Sequence, residues 1–534
     1  MAAREDIRWD ETTIPRALRR AAERFGAALA LDDEGRRFSF AELAAAGEGA
    51  SRAFLAAGLR PGDRAAIWAP NLWEWVVAAL GIHSAGGVLV PLNTRYKAAE
   101  AGYILRKSRA RVLCTMGEFL GTSYADSLGG EALPDLERVV AFRGKSQRGE
   151  PWSEFVAAGE RVPAAEARAR ADAVAPGDLS DLLFTSGTTG SPKGVMTAHA
   201  QNLEVFDVWS SGVGIREGDR YLIVNPFFHS FGYKAGWLTC LIRGAAAIPM
   251  QVFDATSALE RIARERISLL PGPPTIYQML LAHPERTKHD LSSLRLAVTG
   301  AAPVPVELVK RMRSELGFES VITAYGLTEC CGVVSLCRPD DDAETISTTS
   351  GRALPDTEVR CVDEDGKEVP RGTSGEIVVR GYNVMRGYFE DPAETAKTID
   401  TDGWLHTGDI GVMDERGYLR ITDRIKDMFI TGGFNCYPAE IENLMYGHPG
   451  IGQVAVIGIP DERMGEVGMA FVVPRPGATL EPAELVAWCR EHMAHFKAPK
   501  RIELVSALPT NASGKVLKYE LRKHARGRAS GDVL

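Results

Sequence analysis

The chain reads as a layered α/β protein followed by a smaller α+β domain. Three observations carry that reading. Short apolar runs alternate with helical stretches through the first 350 or so residues, turn-forming pairs crowd the segment after them, and the alternation resumes near residue 427. Alternating strands and helices favour parallel sheets, because a crossing helix returns the chain to the end of the sheet where it began. At 534 residues the chain exceeds what one hydrophobic core covers, so two or more domains are expected.

Residues 65–68 read as a strand leading to a helix that begins near Leu72. Residues 75–92 carry no formal charge and nearly reach membrane-spanning length. Gly81, Gly86, Gly87 and Pro91 interrupt them, so they read as a buried helix and the core strand Val88-Leu89-Val90. A helix over 98–107 and a strand over 111–114 come next. Ser268-Leu269-Leu270 and residues 294–298 repeat the strand pattern, and 304–316 reads as a helix. After residue 350 the pairs Asp365-Gly366, Asp402-Gly403 and Arg416-Gly417 separate the runs 375–380 and 418–421, which predicts a β-rich region. Strands at 454–459, 470–473 and 502–505 then alternate with helices near 439–445 and 482–495. They predict a terminal domain of about 110 residues, an ordinary domain size. The expected organisation is a domain over 1–422, a hinge over 423–427 and a terminal domain over 428–534.

Composition narrows the function. A hydrophobic content of 45% with 25% charged residues fits a soluble globular chain. A net charge of −8 argues against general nucleic-acid binding. The eight cysteines contain no C-x-x-C pair, so neither a zinc site nor a disulfide framework is expected, and buried thiols in a reducing cytoplasm are. The charged start has no apolar segment behind it, and the Asp-Val-Leu end is not a peroxisomal address.

The segment most specific for chemistry is Thr185-Ser186-Gly187-Thr188-Thr189-Gly190-Ser191-Pro192-Lys193-Gly194, which comes directly after an apolar strand. Its glycines let backbone amides approach an anion, its hydroxyls add donors, and Lys193 adds a mobile charge. That inventory suits the phosphates of ATP. It is not G-x-x-x-x-G-K-[ST], which needs glycine where Pro192 stands.

Five further segments stand out. Asn225-Pro226-Phe227-Phe228-His229-Ser230-Phe231-Gly232-Tyr233 offers aromatics, a histidine and a flexible glycine for an apolar pocket with a polar gate. Thr299-Gly300-Ala301-Ala302-Pro303 would let a flat ring lie against backbone. In Thr323-Ala324-Tyr325-Gly326-Leu327-Thr328-Glu329, the tyrosine offers a face for a base, Thr328 a donor for phosphate and Glu329 a ligand for Mg²⁺. Asp409, in Thr407-Gly408-Asp409, could accept both ribose hydroxyls. Asn511-Ala512-Ser513-Gly514-Lys515 places a lysine on a loop close to residue 534.

Taken together, and in this order, these segments resemble the adenylate-forming superfamily: acyl-CoA synthetases, coumarate-CoA ligases, firefly luciferases and peptide-synthetase adenylation domains. The resemblance spans about residues 17–521. It implies large N-terminal α/β layers with a β-barrel-like subdomain, and a small α+β C-terminal domain that rotates on a hinge. It also implies ATP, Mg²⁺ and coenzyme A as reactants and cofactors. Thr185, Ser186, Gly187, Thr188, Thr189 and Lys193 match the phosphate loop, with Thr185 and Glu329 at the metal. Gly300, Ala301, Tyr325 and Gly326 match the adenine site, with Thr328 at the α-phosphate. Asp409 and Arg424 match the ribose pair, Lys426 the hinge, and Gly433 the glycine beside the pantetheine tunnel. Lys515 matches the lysine that bridges the carboxylate and the α-phosphate. Lys515, Glu329, Thr185 and His229 are the expected catalytic group. Phe228, His229, Phe231, Gly232, Tyr233, Val298 and Ala324 are expected to line the acid pocket. Ile430 stands where coumarate ligases have a lysine, which puts that contact in doubt.

The gate carries no acid, which disfavours an amino-acid substrate. Asn225-Pro226-Phe227-Phe228-His229, Phe231-Gly232-Tyr233-Lys234-Ala235-Gly236 and Leu270-Pro271-Gly272-Pro273-Pro274-Thr275-Ile276-Tyr277 resemble one subgroup. These are bacterial CoA ligases of steroid-ring degradation, which act on a propanoate borne by a bicyclic indane dione. Tyr233 or Lys234 could reach a ketone of such an acid, although Lys234 reads more simply as a snorkelling surface residue. The alternatives are a medium- or long-chain fatty-acid–CoA ligase, a free-standing enzyme loading a carrier protein, and a non-catalytic nucleotide-binding protein. The expected partners are a small carboxylic acid, ATP and CoA, with no nucleic acid and no transmembrane segment; a homodimer is left open. If Lys515 acts as the resemblance implies, Lys515→Ala slows adenylation by about 10²–10³-fold or more while sparing thioester formation from a supplied acyl-adenylate. Single-turnover assays of the two half-reactions check this, and equal losses in both contradict it.

Overall fold

The structure is a computed structural model. It describes residue 8 and residues 11–185, 192–300, 304–424, 427–431, 434–461, 464–493, 495–510 and 516–529; the side chains of 423, 424, 434, 435 and 527–529 lie outside that description. The chain divides into two compact units. The first comprises Met1–Gly300, Val304–Glu358 and Val379–Leu405, and the second is built mainly from Val359–Val378 and His406–Leu534. This differs from the expected boundary at residue 422. Leu405–Met413 and Leu419–Arg424, which pair antiparallel before the expected hinge, fall almost wholly in the second unit.

A seven-stranded sheet forms one layer of the first unit. Its spatial order is Glu150–Pro151, Arg138–Ala141, Ala110–Thr115, Arg64–Trp68, Val88–Pro91, Leu179–Thr185, Lys193–Ala198. Every neighbouring pair is parallel except the last, where the chain turns back through the phosphate loop. The loop thus joins two antiparallel strands, whereas the common P-loop joins a strand to a helix.

In the second sheet, Arg220–Ile223, Ala246–Pro249 and Leu29–Asp33 run parallel, with Arg36–Ser39 antiparallel at one edge. Parallel bridges from Leu269 to Tyr221 and Leu296 carry this sheet on to the parallel pair Leu296–Thr299 and Ser320–Tyr325. The strand expected at 268–270 is therefore a single bridging residue. Pro271, two positions further on, has no amide to donate, and Gly272 N resumes the pairing at Val298 O.

Local chemistry sets the helices. Ser39 and Glu42 form a reciprocal capping box at the start of Phe40–Ala56. The uncharged stretch near residue 75 becomes the helix Trp73–Ser84, buried on nearly all sides, and the strand Val88–Pro91. No helix among the described residues is long and apolar enough to cross a membrane. The eight cysteines are buried free thiols.

One polar network runs through the apolar interior. Asp181, fully buried on the strand Leu179–Thr185, receives Thr197 Oγ1 at 2.7 Å and Lys234 Nζ at 3.0 Å on Oδ1. Its Oδ2 receives Asn202 Nδ2 at 2.7 Å and Ser180 Oγ at 2.8 Å. Lys234 lies in a π-helical turn, Tyr233–Leu238, and is 0% exposed, so it is not the surface residue its sequence setting suggests. Tyr233 is equally buried: its hydroxyl meets His83 Nε2 at 3.0 Å and its ring packs on Trp75 and Trp237. Neither side chain offers a polar tip to an acid's ketone.

A second buried polar group holds the gate segment. Asn71 donates to the carbonyls of Ile223 at 3.2 Å and Asn225 at 2.9 Å, and accepts from Phe227 N at 2.8 Å. Gly232 is buried against the same segment: a β-carbon there would sit 2.2 Å from Pro226 O. Close packing therefore requires this glycine, and the expected flexibility does not explain it.

The second unit contains two sheets. One has the order Thr357–Val362, Ser374–Gly381, Leu405–Met413, Leu419–Arg424. The other is centred on Gly465–Pro474, which pairs antiparallel with Ile451–Asp461 and parallel with Arg501–Leu504. Pro438–Met445 and Pro482–His492 cover a core that includes Phe429, Ile441, Val456 and Leu485.

The buried polar groups make stability measurable in two ways. His83 and His199 meet edge to face at 5.3 Å, and burial pushes the His83 pKa well down and the His199 pKa down to about 4. The unfolded chain, titrating near pH 6.5, then binds more protons than the folded one, so stability is lost as pH falls from about 6.5 towards 4. Unfolding midpoints should drop across that window, before carboxylates titrate; a profile that stays flat to about pH 4.5 contradicts this. Asn71→Ala removes three buried hydrogen bonds and should lower the unfolding free energy by about 2–4 kcal/mol. Urea denaturation monitored by tryptophan fluorescence measures it.

Candidate active site

Parallel strands bring their carboxyl ends to one edge of a sheet, where the connecting loops can meet a ligand. Four such ends lie side by side here. The gate segment comes after Ile223, Gly272 after the bridge at Leu269, Gly300 after Thr299, and Gly326 after Tyr325. Backbone contacts draw them together. Gly272 N donates to Val298 O at 2.9 Å, and a β-carbon on Gly300 would lie 3.0 Å from Ala324 O. A β-carbon on Gly326 would lie 2.0 Å from Gly332 O, and one on Gly332 would lie 3.1 Å from Ser230 Oγ in the gate. Tyr325, Thr328 and Ala324 are partly exposed along this edge.

The phosphate-loop strand reaches the same place. Thr185 Oγ1 donates to Glu329 Oε1 at 3.4 Å, although the two residues are 144 positions apart. Tyr388, which belongs to none of the sequence motifs, donates its hydroxyl to the same oxygen at 3.1 Å. Lys193 is ion-paired with Glu394, likewise outside the motifs, and its ammonium lies 5.2 Å from the Tyr388 ring centre. Lys193 and then Lys397 draw the Glu394 carboxyl pKa down to about 2.

Both of these unmarked residues come from a segment docked on the strand that carries Lys193. Phe389 N donates to Gly194 O at 2.7 Å, Met196 N to Gly387 O at 3.0 Å, and Val195 bridges Tyr388. Asp391 caps the helix Pro392–Thr398 by accepting from Glu394 N at 3.1 Å, which fixes Glu394 in the first turn, where a carboxylate suits the helix dipole. The pattern Asp391-Pro392-Ala393-Glu394 announces that helix start in the sequence. Nothing local announces a partner 201 residues away.

In the gate, Phe228 and Phe231 are partly exposed, while His229 has open surface and its Nδ1 accepts from Phe231 N at 3.2 Å. Neighbouring protein lowers the imidazole pKa from its usual value. Of the residues expected to line the acid pocket, Tyr233, Gly232 and Val298 are instead buried in the core; Val298 is 1% exposed. Phe228, His229, Phe231 and Ala324 keep surface.

In the second unit, the strand register sets Asp409 directly opposite Arg424, as a pair gripping one ribose would need. Thr510 and Val516 bridge antiparallel and Leu517 N donates to Pro509 O at 2.8 Å, which pairs the chain on either side of residues 511–515. A cavity of about 310 Å³ is lined by Thr431, Met464, Gly468, His495, Phe496 and Lys500, among others. Ser186, Gly187, Thr188, Thr189, Ala301, Lys426, Gly433 and Lys515 lie outside the described residues, as does the side chain of Arg424.

Glu329 and Thr185 supply the hard oxygen donors that suit Mg²⁺. Among the described residues no cluster of three or more His, Cys, Asp or Glu forms a metal cage. Glu329 and Thr185 are the described residues that would hold a cation at this edge.

The model of the AMP-binding enzyme family matches residues 18–389, and that of the AMP-binding enzyme C-terminal domain matches residues 440–515. The chain is 54% identical to a 3-[(3aS,4S,7aS)-7a-methyl-1,5-dioxo-octahydro-1H-inden-4-yl]propanoyl:CoA ligase of Mycobacterium tuberculosis, over 96% of this chain and 99% of that one. It is 51% identical to the ligase of the same name from Rhodococcus jostii, with the same coverage. Among solved structures, an anthranilate CoA ligase in complex with anthranoyl-AMP superimposes with a TM-score of 0.88 at 29% identity, covering 97% of this chain and 98% of the other. With the Thr185–Lys193 and Tyr-Gly-x-Thr-Glu segments inside the match over residues 18–389, the chain belongs to the AMP-binding, or adenylate-forming, enzyme family.

Proposed function

We propose that this chain joins a carboxylic acid to coenzyme A with ATP, through an acyl-adenylate, and that its acid is the bicyclic indane-dione propanoate named for its two relatives. The contact between Thr185 and Glu329 carries the first part, because it sets the end of the phosphate-loop strand against the Tyr325–Glu329 edge. Identity above 50% over 99% of each relative supports the second.

The reaction brings two anions together. A carboxylate oxygen attacks the α-phosphorus, the bond to the β-phosphate breaks, and pyrophosphate leaves. Lys193 and the loop amides would offset the phosphate charge, and Lys515, on its Ser-Gly-Lys segment, would reach between carboxylate and α-phosphate. Glu329 and Thr185 would hold Mg²⁺, which neutralises triphosphate charge when bound. Tyr325 and Gly300 flank the place for the adenine, and Asp409 with Arg424 takes the ribose. With Phe228 and Phe231, His229 acts as a gate that keeps water from the mixed anhydride. The CoA sulfur then attacks the acyl carbon, and the bond to AMP breaks. Phe496 and Lys500 in the second unit's cavity offer a stacking face and a cation for the nucleotide end of CoA. The buried thiols suit a cytoplasmic setting.

A second reading has some support: a human mitochondrial medium-chain acyl-CoA ligase is 34% identical over 96% of this chain. Comparing kcat/KM separates the two. The bicyclic propanoate should exceed straight-chain acids of similar carbon number by about 10²-fold or more, since a pocket shaped for one acid loses about 1–3 kcal/mol with each misplaced group. A preference for octanoate or longer chains contradicts it.

A further inference from the structure

Tyr388 touches both charged groups of the phosphate site, yet it lies outside both motifs that define the site. Its hydroxyl donates to Glu329 Oε1, and its ring lies beside the Lys193 ammonium. The residue is only 7% exposed. Its backbone is fixed as well. Tyr388 N donates to Thr395 Oγ1 at 2.9 Å, and the residue bridges Val195, two positions beyond Lys193 on the same strand.

A carboxylate offers two oxygens and turns about its last bond, so a metal-binding glutamate needs one oxygen held if the other is to be presented consistently. Both Thr185 and Tyr388 place their hydrogen bonds on Oε1 of Glu329. Oε2 is then the oxygen presented to a cation. Lys193 needs a corresponding support, because its four-carbon stem is flexible. The Tyr388 ring supplies a face for it, and Glu394 supplies a counter-charge.

We propose that Tyr388 is a positioning residue for the metal–triphosphate: one side chain holds Glu329 by a single oxygen and supports Lys193, so that carboxylate and ammonium keep a set spacing. This rests on the reading of Glu329 as the metal-binding carboxylate.

The test is Tyr388→Phe, which keeps the ring and removes only the hydroxyl. ATP binding is measured by calorimetry without acid, across a Mg²⁺ series. The Mg²⁺ concentration for half-maximal ATP binding should rise about tenfold, the weight of one hydrogen bond to a charged group. AMP affinity in EDTA and KM for the acid should stay unchanged. An unaltered Mg²⁺ requirement overturns the proposal, and so does an equal loss of AMP affinity, which marks general disruption of the site. In case the Phe chain does not fold, fluorotyrosine at position 388 preserves both shape and donor. Its fluorine resonance should move when Mg²⁺ is added to the ATP complex and not when ATP is added in EDTA; a resonance blind to Mg²⁺ also overturns the proposal. Wild-type protein that binds no Mg·ATP at all would refute the reading of the site instead, so the two failures are distinguishable.

Discussion

The first unit is organised around the buried carboxylate of Asp181. Removing a carboxylate from water costs several kcal/mol unless its oxygens are satisfied. Here each oxygen has two donors, and they come from different parts of the chain: Ser180 on its own strand, Thr197 on the antiparallel neighbour, Asn202 on the helix after that strand and Lys234 on the π-helical turn behind the gate. Such a pair is not a source of stability when set against an apolar substitute, but losing one partner strands a charge and costs about 3–5 kcal/mol. The network therefore acts as a constraint on geometry. It fixes the strand that ends at Thr185 relative to the turn behind residues 225–232, so that the proposed phosphate and acid places would keep a common frame.

The contacts of the site depend on that frame. Thr185 meets Glu329 because the strand carrying Thr185 ends where the parallel pair Leu296–Thr299 and Ser320–Tyr325 also ends. Close approaches at Gly326 and Gly332 leave no room for side chains, and this lets the Tyr-Gly segment lie against the gate. Chemistry that must exclude water and hold two anions together needs such preorganisation more than it needs strong individual contacts. Within the second unit, Asp409 faces Arg424 across one strand pair, and a bridge between Thr510 and Val516 brackets residues 511–515.

Much of this is visible in the sequence. Alternating apolar runs locate the parallel strands, because a strand buried on both faces must be apolar along its length. The order of Thr185, His229, Gly300, Tyr325, Glu329 and Asp409 along the chain marks the proposed site, because each residue type suits a specific part of one reaction. The illegible features depend on partners distant in sequence. Lys234 looks like a surface lysine because its counter-charge, Asp181, lies 53 positions earlier in the chain. Tyr233 looks like a pocket residue because aromatics suit both pockets and cores, and only its contact with His83 decides between them. Tyr388 and Glu394 sit in a turn and a helix start of ordinary composition, and acquire a role only when that segment docks beside Lys193.

The proposed chemistry comes down to one bond: a carboxylate oxygen attached to the α-phosphorus of ATP. Turnover of an acid whose carboxylate carries the heavy oxygen isotope, with mass analysis of the nucleotide and phosphate products, reports on that bond directly. Adenylation predicts one labelled oxygen in AMP and none in pyrophosphate. Label in inorganic phosphate alongside ADP would mean attack at the γ-phosphorus and would contradict it.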